Sequence, residues 1–274
     1  MNGIYMAVIG IIIIFVGTTL GSSLVFFFKK ITPRVKALFD GFASGIMVSA
    51  SIFSLILPAL QDRSNTWVPD YTSGKFQWII VVIGVLFGFA FLFALDKIVP
   101  HIHHSTGLEE GVKAKGLSRN SKLFLAITLH NVPEGLSVGI AFGTIFATAN
   151  SLDASLFISP LILAIGMALQ NFPEGAAISL PLLNDGWSRK KSFLFGSLSG
   201  AVEPVAAVLG LLLVSFFNQI IPWALSFSAG CMLYVVIEEL IPESQNEATK
   251  YSHIGSWTFI IGFLLMMVLD TSFS

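Results

Sequence analysis

Three glutamates stand deep within long apolar stretches of this 274-residue chain: Glu134, Glu174 and Glu203. Two of them belong to matching hexapeptides, His130-Asn131-Val132-Pro133-Glu134-Gly135 and Gln170-Asn171-Phe172-Pro173-Glu174-Gly175. On a helix, positions i and i+4 share a face and i+1 lies beside it, so each motif presents three side chains with metal-capable atoms within one turn. Pro133 and Pro173 also remove a backbone donor and free the carbonyls of Leu129 and Leu169, which in an apolar setting must find another partner. A bound cation or a trapped water would serve. A charged side chain at mid-bilayer costs about 2.5–3.5 kcal/mol, and two or three carboxylates in one cavity cannot all stay ionised without a cation or protons. A divalent ion, or a pair of ions bridged by glutamates, meets that requirement. One imidazole, amide oxygens and carboxylates without a thiolate suit zinc, iron, manganese or cadmium better than copper(I), while magnesium would keep more of its water. A single proline kink with polar neighbours is common in membrane helices. The second copy of the motif and the third glutamate, in Val202-Glu203-Pro204, separate a ligand set from a kink.

The elements that carry these residues follow from composition. With 54% hydrophobic and only 11% charged residues, against about 25% charged in a soluble domain, a water-soluble fold is excluded. A net charge of −1 gives no electrostatic case for a nucleic-acid partner. The one cysteine, Cys231, cannot form an internal disulfide and sits in an apolar run. The uncharged stretch Met1 to Phe28 precedes Lys29 and Lys30, the reverse of a signal peptide's order, and reads as a retained span. A bilayer core takes about 20 apolar residues per helix, and the charged loops divide the chain into eight such stretches: Ile4–Phe28, Leu38–Leu60, Phe76–Leu95, Leu123–Phe146, Leu156–Leu183, Phe193–Phe217, Trp223–Leu240 and Ile254–Leu269. Only the weak turn at Asn218, Gln219 and Pro222 divides the sixth from the seventh.

The expected fold is therefore an all-α, eight-span integral membrane protein embedded in a lipid bilayer as one domain over 1–274, with a His-containing loop at 96–122. All but Arg63 and Lys75 of its 15 lysines and arginines fall in odd-numbered loops, which makes those loops cytoplasmic and puts both termini outside. Spans four and five then run oppositely, and their motifs are related by a pseudo-two-fold axis in the membrane plane, as in transporters that bind at the midplane. Glycine pairs at Gly41/Gly45, Gly84/Gly88 and Gly196/Gly200 suit close helix approach, on sliding surfaces or at a dimer contact. Asp40, Glu243, Glu247 and His253 lie near span ends, where interfacial solvation is the expectation.

On these motifs the chain resembles the ZIP metal transporters, and within them the prokaryotic GufA-like branch, over essentially its whole length. The resemblance implies transport of a divalent transition metal toward the cytoplasm across the cell membrane, zinc first, with cadmium as a laboratory surrogate. It implies a binuclear centre with His130, Glu134, Gln170 and Glu174 at the primary site and Asn131, Asn171 and Glu203 at the adjacent one. In Gly45-Ile46-Met47-Val48, Met47 matches a thioether beside the primary ion. Asn171 departs from the aspartate of some relatives and weakens the second position. Asp96, His101 and His103, with Glu238 and Glu239, match a cytoplasmic exit site. An elevator motion of spans one, four, five and six against two, three, seven and eight, and a homodimer, follow from the same resemblance. Two other readings remain at this point. An intramembrane metal-dependent hydrolase could use the same residues around activated water, and a metal channel would show non-saturating flux. No His-Glu-x-x-His motif occurs, and Gly135-Leu136-Ser137-Val138-Gly139 lacks the strand-turn-helix setting of a nucleophile elbow.

Overall fold

The computed structural model describes residues 2–61, 76–99, 101–102, 109–110, 119–245 and 252–273. The apolar runs form eight helical spans: Gly3–Phe26, Pro33–Gln61, Gln77–Ile98, Asn120–Thr148, Ala154–Asn184, Arg189–Phe216, Asn218–Ser244 and His253–Phe273. Several spans carry their own start signals. Asn2 caps span one through Ile4 N, Thr32 caps span two just ahead of Pro33, and Ser188 caps span six through Lys191 N. Each side-chain oxygen accepts from a backbone amide that the helix leaves unpaired. The weak turn between spans six and seven is a short 3-10 segment that opens span seven, Asn218–Ile220. In the third loop, His101–Ile102 pairs antiparallel with Glu109–Glu110. His103 lies outside the described residues.

Span one packs along five, four along six, two along eight and three along seven. That pairing maps onto itself when spans one, two and three are exchanged with six, seven and eight, and four with five. It is the arrangement an inverted repeat requires. Each of these pairs lies wholly within spans one, four, five and six or wholly within spans two, three, seven and eight.

The glycine pairs are consumed inside the chain. Gly41 and Gly45 face the backbone of span eight at Gly255 and Phe259, Gly84 and Gly88 face span seven at Ser226 and Phe227, and Gly196 and Gly200 face Ser22 and Thr18 of span one. They make helix pairs within each set of four spans.

Two irregularities matter for the site. Spans two and seven each widen into a π turn, Ser51–Ile56 and Val236–Leu240, immediately before Pro58 and Pro242. A proline cannot donate to the carbonyl four residues back, and the helix relieves that defect by taking on an extra residue per turn. Span six is broken at Gly200–Ala201 and restarts at Val202. Glu203 thus falls in the first turn of a new helix, where the aligned backbone dipoles favour a carboxylate.

Candidate metal centre

Glu203 is completely buried and accepts hydrogen bonds from three other spans. Thr18 Oγ1 donates to Oε1 at 2.7 Å, Asn131 Nδ2 to Oε1 at 3.0 Å and Asn171 Nδ2 to Oε2 at 2.6 Å. Asn131 Nδ2 also reaches the carbonyl of Ser199, beside the break in span six. Gln170 Nε2 donates to Asn171 Oδ1. The two motif asparagines and Glu203, expected together from the sequence resemblance, do come together. They do so as a carboxylate held by donors, with Asn131 and Asn171 turning their amide nitrogens inward.

The same motifs also carry buried acceptors that no donor meets. Glu134 Oε1 and Oε2, Glu174 Oε2, Gln170 Oε1 and Asn131 Oδ1 are buried and accept no hydrogen bond. Gln170 and Glu174 stand close beside Glu134, and Glu203 is within electrostatic reach. Buried acceptors without donors are costly, and a cavity lined by several of them has the chemistry of a cation site. Pro133 and Pro173 lie within continuous helices, so both motifs keep their one-turn spacing. Among the described residues, no three His, Cys, Asp or Glu side chains form a closed ligand cage. Amide oxygens supply much of the acceptor set, and the one imidazole turns elsewhere.

That imidazole belongs to His130, which is buried. Its Nδ1 stands 3.2 Å from Glu239 Oε2 and its Nε2 3.9 Å from Asp96 Oδ1. Glu174 is within electrostatic reach of His130 and of Glu239. His130 therefore stands between Glu174 of span five and the carboxylates of spans three and seven. Glu239 is half-buried in the π turn of span seven, whereas its neighbour Glu238 is exposed. Met47 is fully buried in the hydrophobic core.

Three further hydrogen-bonding residues had no sequence signal of their own. Thr18 holds Glu203. Tyr234 donates to Asp96 Oδ2 at 2.5 Å and packs edge-on against Phe89. Ser54, in the π turn of span two, donates its one hydroxyl proton to the carboxylate of buried Asp270, its Oγ lying 2.8 Å from both oxygens. The proline after each π turn was the available clue for Ser54 and Glu239. The expectation of interfacial solvation fails for Asp40, which is 7% exposed and ion-paired with Lys36.

Comparison with known proteins decides the family. The family described as ZIP Zinc transporter matches residues 4–122 and 114–270. The chain belongs to the ZIP family. Among its relatives, it is 33% identical to zinc transporter ZIP11 of Homo sapiens, over 98% of this chain and 97% of that one. It is 32% identical to zinc transporter GufA of Myxococcus xanthus, over 93% and 94% respectively. It is 35% identical to zinc transporter ZIPB of Bordetella bronchiseptica, over 94% of this chain and 78% of that one. This ZIP chain is thus a multi-pass protein of the cell membrane and a transporter rather than an enzyme, which removes the hydrolase reading.

Proposed function

We propose that this ZIP protein carries zinc or a similar divalent transition metal toward the side bearing the basic loops, and that the ion rests between spans four and five on Glu134, Glu174 and Gln170, with His130 and Asn131 at its edge. The observation that carries this reading is the set of buried acceptor oxygens without donors, drawn from both hexapeptides. His130, already against Asp96 and Glu239, offers the next ligands on the way out, and His101 and His103 of the following loop complete the cytoplasmic exit. Met47 contributes a soft ligand from span two.

The neighbouring position at Asn131, Asn171 and Glu203 is the weaker of the two. For a second ion to bind there, both asparagines would have to turn their oxygens inward and Glu203 would have to give up amide donors. The pairing of the spans within two sets of four supports a rigid-body elevator, with spans one, four, five and six carrying the ion past the other four. Both termini lie outside, and the protein works as a homodimer.

Liposomes containing the protein and a zinc-sensitive dye test the function. Saturable zinc-dependent fluorescence, reduced by competing cadmium, is the expected result. Flux rising linearly with metal concentration would instead mark a channel.

A further inference from the structure

Lys36 lies in the first turn of span two. Its Nζ is 2.7 Å from Asp40 Oδ2 and also bonds to Glu243 Oε2 at the end of span seven. The Asp40 and Glu243 side chains are 10% and 14% exposed and that of Lys36 27%, so the carboxylates are largely enclosed while the lysine is partly open to solvent. One ammonium serves two carboxylates from two spans, and the trio keeps one negative charge. The same geometry, two carboxylates converging on one cation, is what a divalent ion would seek.

Two members of the trio, Lys36 and Asp40, border a cavity beside span five. A cavity of about 140 Å³ is lined by Lys36 and Asp40 on one side and by Pro173, Ala177, Pro181 and Asn184 on the other. Pro173, Ala177 and Pro181 form one stripe of span five, each a turn apart. The stripe begins next to Glu174 and ends near the helix terminus at Asn184. Glu174 itself is within electrostatic reach of Asp40. Asp40 is the acidic residue lining this cavity, and with Glu243 it forms a carboxylate pair able to hold an ion that strays onto this wall.

We propose that Lys36 is a tethered counter-cation that occupies Asp40 and Glu243 and so prevents this wall of the pathway from retaining the transported ion. A lysine suits the task. Its ammonium is a compact point charge with three donors and no acceptor, able to satisfy two carboxylates at once while repelling a metal ion. The inference rests on the reading that the ion departs from Glu174, but the metal binding it foresees depends only on Asp40 and Glu243.

The test uses the full chain with the Lys36→Met variant, cadmium equilibrium dialysis in detergent, and zinc uptake in liposomes. K36M should bind an additional cadmium ion per chain. Its Vmax should fall by about fivefold or more with no rise in KM, because the freed buried carboxylates bind the ion on its way out. The triple variant K36M/D40N/E243Q should lose the extra ion and regain uptake. Unchanged stoichiometry and Vmax in K36M would overturn the proposal. So would a fall in Vmax without additional cadmium, which would assign Lys36 to packing alone. Dialysis needs no transport, so the extra ion can be counted even in a poorly active variant. In a Glu134→Ala/Glu174→Ala background the extra ion should persist, so failure of the metal-centre reading and failure of this proposal register separately.

Discussion

Replacing Tyr234 with Phe removes one oxygen and little else. The ring is buried, at 4% exposure, and its edge-on packing against Phe89 is unaffected. What is lost is the 2.5 Å bond from the hydroxyl to Asp96 Oδ2, which aims the other oxygen, Oδ1, at His130 Nε2. A hydrogen bond to a charged group contributes about 1.5–3 kcal/mol. The Asp96 side chain is 14% exposed, so solvent makes up little of the loss. If Asp96 takes the ion after His130, that energy limits how well Asp96 is aligned to do so. Uptake Vmax should fall about tenfold, with roughly a hundredfold as the ceiling. KM should change little, since Glu134, Glu174 and Gln170 are untouched. Zinc uptake into liposomes, with thermal unfolding of the purified variant as a check on folding, measures both. Wild-type Vmax, or a raised KM at constant Vmax, would refute the assignment of Tyr234 and Asp96 to the exit side.

Asn171→Asp replaces an amide that now donates to Glu203 with a second carboxylate. It should raise the affinity of the weaker metal position by about tenfold or more, seen as a second cadmium-binding phase in calorimetry. Gly139→Ala places a methyl group against the backbone of Ala207 in span six. That overpacking should cost about 1–3 kcal/mol, read as a lower unfolding temperature in detergent.

The eight spans are legible because each leaves a local record: a long uncharged run bounded by charged loops. The hexapeptides are legible for the same reason, since i, i+1 and i+4 on a continuous helix fix a common face. What joins the spans is not. Thr18 reaches Glu203 and Lys36 reaches Glu243 across most of the chain, and a threonine or a terminal lysine in an apolar setting has nothing to mark its distant partner. The helical spacing groups His130 with Glu134, yet the structure turns it toward Asp96 and Glu239. The cause lies in another helix, where the π turn ahead of Pro242 places Glu239 beside the imidazole. The pairing of the spans maps onto itself when four is exchanged with five, but the chemistry of the two motifs differs. The span-four motif contributes an imidazole turned toward the exit side, and the span-five motif contributes an amide that stays within the centre.

The centre itself is tested most directly by cadmium binding and zinc uptake in the Glu134→Ala/Glu174→Ala variant. These two side chains contribute three of the buried, donor-free oxygens. Their removal should abolish high-affinity cadmium binding in detergent and reduce uptake to the level of protein-free liposomes, while the chain remains folded. Retained binding with wild-type flux would place the metal elsewhere in the protein.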